Sequence, residues 1–176
     1  DKYYLDLTVD SGVTLNTAGY RVFVQRNLFL SGTIGMTAGP STQGSLGIGT
    51  QDANVANSLG GASATYTATA PTAALGGEQW YKNALNAIDG YSFDPATGTI
   101  NLLKGGAGDG TNYGGGVVIV AARYLFGTGN VFAKGAVNAG GGVVILISSD
   151  KSHSYTVSAA GTGTGSAGNT YFLEAD

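Results

Sequence analysis

Cysteine is absent from this chain of 176 residues, which excludes disulfide staples and thiolate metal sites. Charge is scarce as well. Asp, Glu, Lys and Arg together make up 11% of the residues, against about 25% in an ordinary soluble domain. The net charge of −3 leaves no basic footprint for nucleic acid or an anionic membrane surface. Three prolines exclude a collagen or polyproline architecture. No apolar run approaches the roughly 20 residues that span a bilayer, so membrane insertion is not expected. The chain begins at Asp1, as expected of a processed or trimmed product, and the want of a leader says nothing about secretion.

What is present points to short strands and tight turns. Glycine occurs 31 times, more than twice its usual share of about 7%. Thr, Ser and Asn are abundant, which suits turns and disfavours helices. Hydrophobic residues reach 43%, enough for a core, and the length fits one domain.

The strongest pattern is a repeat. Gly114-Gly115-Gly116-Val117-Val118-Ile119 returns 26 residues later as Gly140-Gly141-Gly142-Val143-Val144-Ile145. The same offset carries Val131 onto Val157, Ala133 onto Ala159 and Gly135 onto Gly161. A partial third copy ends in Tyr171-Phe172-Leu173, and an earlier copy aligns at an offset of 97, with Arg26 on Arg123, Leu28 on Leu125 and Ile34 on Val131. A fixed period of this length marks stacked units that bury faces no single unit could bury alone. The expected fold is all-β: a short parallel β-solenoid (β-helix) with a glycine-rich loop insertion. A two-sheet sandwich or jelly roll is the alternative. Upstream, Tyr3 to Leu15 reads as one strand pair, and Tyr20–Val24 with Leu28–Ile34 as another.

The insertion covers 40–113. Residues 40–77 have loop composition, and about 78–89 reads as a short amphipathic helix carrying Trp80, Ala84 and Ile88 at i, i+4, i+8. A turn and a strand follow within 91–103.

The repeat makes a positional prediction. Positions 22, 119, 145 and 171 should stack, as should 24, 121, 147 and 173, both inside the core. Strand residues alternate between faces. Phe23, Val120, Leu146 and Phe172 therefore fall on the outward face, where they would form one apolar stripe. Such a stripe marks an interface, and a contact with other copies of the chain is the favoured reading; the alternatives are that the insertion helix with Trp80 folds over it, or that the two faces are assigned the wrong way round.

Candidate chemistry is sparse. Gly163-x-Gly165-x-x-Gly168 matches a dinucleotide-binding pattern, but a strand rather than a helix is expected after it, so it reads as a glycine corner. Asp109 and Asn112 in a glycine-rich run resemble one copy of a calcium-binding repeat, too few oxygen ligands for that ion. His153, the one histidine, lies in a polar corner without a nucleophile-elbow pattern. The carboxylates are scattered, although paired carboxylates in a groove would make a glycosidase. Neither a catalytic residue, a cofactor nor a metal is expected. Trp80, Tyr81, Tyr91 and Phe93 form an aromatic cluster off the repeat. It either pins the insertion to the stack or offers a surface-recognition patch for a sugar or receptor.

Strings such as Gly12-Val13-Thr14-Leu15-Asn16-Thr17-Ala18-Gly19-Tyr20-Arg21-Val22-Phe23-Val24, Asp109-Gly110-Thr111-Asn112 and Gly116-Val117-Val118-Ile119-Val120-Ala121-Ala122-Arg123 resemble the glycine-rich structural proteins of tailed bacteriophages, of tail fibre, head fibre or minor tail type. The resemblance covers most of the chain. It implies a non-enzymatic virion component acting as fibre, spike or decoration. Its partners would be itself (a homo-oligomer, a trimer among the expected states), other virion proteins and a host-surface glycan. A polysaccharide lyase or hydrolase on a β-helix, or a secreted surface adhesin, are the alternatives.

Overall fold

A computed structural model describes residues 1–17, 20–37, 91–94, 99–102, 114–149 and 153–175, with backbone alone for 37, 91–94 and 99–102. The described residues are all-β and contain no helix. The expected helix at about 78–89 and the loop 40–77 lie outside them, as do Trp80 and Tyr81.

Among the described residues twelve strands form in chain order. They are β1 (Lys2–Tyr4), β2 (Leu7–Val9), β3 (Thr14–Asn16), β4 (Val22–Leu30), β5 (Thr33–Thr37), β6 (Tyr91–Asp94), β7 (Thr99–Leu102), β8 (Val117–Phe126), β9 (Asn130–Lys134), β10 (Val143–Ser148), β11 (Thr156–Ser158) and β12 (Asn169–Glu174). Two parallel sheets hold most of them. The first runs β1-β4-β8-β10-β12, with β2 also paired to β4, and the second runs β11-β9-β5-β3. From β8 onward successive strands alternate between the sheets, so each repeat supplies one strand to each. β6 and β7 form an antiparallel hairpin. Residues 91–94, expected to lead into a turn, are thus a strand.

The upstream strand pairs are corrected. β4 is one continuous strand, and neither it and β5 nor β2 and β3 pair with each other. Each strand instead pairs in parallel with its counterpart in the neighbouring repeat, where a ladder already waits.

The 26-residue offset is the ladder register. Val117 pairs with Val143 and Val143 with Asn169, while Val131 pairs with Val157. The 97-residue offset holds at Leu28↔Leu125 and Ile34↔Val131. It fails at the start of β4, where Val22 pairs with Val120 and Val24 with Ala122. Between Val24 and Asn27 β4 spends one residue more than β8 spends between Ala122 and Tyr124, and the ladder is irregular there. An extra residue on one strand is a bulge, and a one-residue slip exchanges the faces.

That slip overturns the expected stripe. Val120 and Leu146 are fully buried in the main core between the sheets, with Val22, Val24, Val118, Val144 and Ile34, and Phe172 packs against it. Phe23 pairs with Ala121 and lies on the opposite face. The four residues do not share an outward face. Conversely Ile119, Ile145 and Ile147, assigned to the main core, form a second buried cluster with Val117 and Val143, against which Ala121, Tyr171 and Leu173 pack. Every residue of β10 is buried. A strand apolar at every position and buried on both faces carries no alternation from which to read an inside.

The glycine corners are demanded by close approach. The amide of Val143 donates to the carbonyl of Gly116, and that of Asn169 to Gly142, both at 3.0 Å. A Cβ on Gly142 would lie 1.9 Å from the Gly116 oxygen, and one on Gly168 1.8 Å from the Gly142 oxygen. Gly168 is therefore a stacking corner followed by β12, not the start of a helix that could hold a pyrophosphate.

Candidate ligand groove

The bulge in β4 lies beside a groove of about 1090 Å³. It crosses the first sheet on the face opposite the main core. Ladder pairing sets Tyr3 beside Phe23, Phe23 beside Ala121, Ala121 beside Ile147, and Ile147 beside Leu173. Ala121 is the smallest of these side chains, so the row dips between Phe23 and Ile147. Beyond the dip, Gln25, Arg123, Tyr124 and Ser149 line the groove.

One wall is aromatic. The rings of Tyr3 and Phe23 stack with centroids 5.1 Å apart and planes 12° from parallel. Tyr3 is 73% exposed and Tyr124 40%, unusual values for side chains with so much apolar area. Charges frame this wall. Arg21 lies over the Phe23 ring at 5.6 Å, and its Nε donates to Asp1 Oδ1 at 2.6 Å. Arg26 is ion-paired with Asp6. That guanidinium holds the Asp6 carboxyl below the usual carboxylate range, helped by the Asn27 amide, which donates to Oδ1 at 3.1 Å.

Arg123 differs. It is the repeat counterpart of Arg26, but its guanidinium has no carboxylate partner among the described residues and lies 5.4 Å from the centroid of the Tyr124 ring. The carbonyl of Arg123 is held from the next repeat, accepting from Ser148 Oγ at 3.0 Å and Ser149 Oγ at 2.7 Å. Its backbone is anchored while its charged head stays exposed.

The comparisons with protein-family models, curated proteins and solved structures find no match.

Of the four residues expected to form the interface stripe, Phe23 lines this groove. Val120 and Leu146 are in the core, and Phe172 packs against His153 with ring centroids 4.7 Å apart. His153 also accepts the Tyr155 amide at Nδ1, 3.3 Å away, so it braces the end of the stack. Tyr91 and Phe93 belong to β6. Sequence reading missed Tyr3, Ala121, Arg123 and Tyr124. One signal was available: Arg26 and Arg123 are repeat counterparts, and the residue 26 beyond Arg123 is Ser149 rather than an acid.

Proposed function

We propose that this chain is a short parallel β-solenoid serving as a non-enzymatic structural component of a bacteriophage particle, as fibre, spike or decoration, with surface recognition as a second duty. The observation that carries the reading is the alternation of parallel strands between two sheets at a 26-residue register, each pair joined through an aliphatic core. Such a ladder is rigid, extends by adding repeats, and needs few charges. The resemblance of the glycine corners and Val-Val-Ile runs to phage structural proteins supports the same role.

In this reading the chain assembles from repeated copies of itself and with other virion proteins. The buried positions of Val120 and Leu146 remove the apolar stripe as the seat of that contact. Electron microscopy of the native assembly, with quantitative mass spectrometry of purified particles, tests the proposal. Many copies per particle and an elongated density are expected. Turnover of a polysaccharide by the purified chain, or its absence from particles, would overturn it.

A further inference from the structure

We propose that the groove beside the β4 bulge binds an acidic oligosaccharide, stacking sugar faces on Tyr3, Phe23 and Tyr124 and pairing a carboxylate with Arg123. The groove runs across the strands from Tyr3 to Ile147, three ladder steps of about 4.8 Å, or roughly 14 Å in all. An extended chain of a few sugars matches that span. Its walls offer flat aromatic faces, and the small side chain of Ala121 leaves room above the floor.

Chemistry narrows the occupant. Sugar rings present C–H faces that stack on aromatic planes and hydroxyls that pair with amides and alcohols, and Gln25 and Ser149 stand at the edge of the groove to meet them. No Asp or Glu is among the described lining residues, whereas Arg123 brings a guanidinium committed to no acid among the described residues. Both other arginines are neutralised, by Asp1 and by Asp6. An uncommitted guanidinium at an apolar wall favours a planar anion, which it can hold through two parallel hydrogen bonds. A peptide fits less well. Peptides commonly bind parallel sheets by adding a strand to an open edge. Here the groove crosses strands whose main chains already pair with one another. The net charge of −3 disfavours nucleic acid.

This inference deepens the surface-recognition part of the reading above. It is tested on the isolated chain, so its failure leaves the particle role standing. The measurement is isothermal titration calorimetry with trigalacturonate and sialyllactose as acidic probes, the neutral sugars galactotriose and lactose as controls, and a glutamate-rich peptide as the competing class. Binding of at least one acidic probe is expected, at least about tenfold tighter than its neutral counterpart and weakened by salt. Arg123→Gln should erase the preference for the acidic sugar while leaving the circular dichroism spectrum unchanged, because the head group is exposed. Tyr3→Ala should weaken acidic and neutral sugars alike. The proposal fails if neither acidic probe binds, if neutral sugars bind equally well, if the peptide binds in their place, or if both variants bind as the parent does.

Discussion

The phenolic oxygen of Tyr155 lies 3.0 Å from the carbonyl oxygen of Leu28, 127 residues earlier in the chain. The same hydroxyl is 3.0 Å from the carbonyl of Phe126, so one proton is shared between the main chains of two neighbouring repeats. Tyr155→Phe removes this donor from both carbonyls and is expected to cost about 1–3 kcal/mol, read from urea unfolding.

That hydroxyl also makes stability depend on pH. Burial pushes the Tyr155 phenol up to about 12 from its ordinary value near 10. The folded state thus favours the protonated form. Its contribution is complete below pH 10 and is lost as the pH rises from 10 through 12. Tyr155 should titrate late in an absorbance titration. Tyr155→Phe should remove that late step and flatten the alkaline fall in the urea midpoint.

Leu146 is fully buried between the sheets. Leu146→Ala should cost about 2–5 kcal/mol through lost burial and a residual cavity. Leu146→Lys should abolish the folded signal in circular dichroism, because a lone ammonium has no partner in that core. A folded, dissociated monomer by light scattering would show instead that Leu146 faces an interface.

Two glycines should respond differently to a methyl group. Gly12 has φ +80° and open space around it, so Gly12→Ala meets only backbone strain, about 1–2 kcal/mol. Gly142→Ala places a carbon within 1.9 Å of the Gly116 oxygen and should cost about 3 kcal/mol or more, since the ladder itself has to open. Thermal melts of the two variants should fall in that order.

Asp6 makes a small contribution to the acid limb. Its depressed carboxyl stabilises the fold above its ordinary value of 3.8, and that contribution is lost as the pH falls through the lower folded-state value. Asp6→Asn keeps an acceptor for Asn27 but loses the charge facing Arg26. It should lower stability slightly at pH 6, because the pair is exposed to solvent, and the difference should shrink as the pH falls through the folded-state value of Asp6.

The amino-acid sequence by itself determined the β class, the 26-residue register and the glycine corners. Each follows from a local requirement that recurs at every copy: a β-branched run for the strand, and a residue without Cβ where Gly116, Gly142 and Gly168 stack carbonyl to backbone. Which side of the ladder faces the main core was not legible. β8 and β10 are apolar on both faces, so Ile119 and Val120 are equally good candidates until a second sheet chooses between them. The alignment of β4 was misread for a related reason. Matching Leu28 to Leu125 is correct, but one extra residue at the bulge moves Val22 from Ile119 to Val120, and no single residue announces that insertion. The groove was hidden still more deeply. Tyr3, Phe23, Ala121 and Arg123 are spread over 120 residues, and only parallel pairing between distant strands brings their side chains into one row.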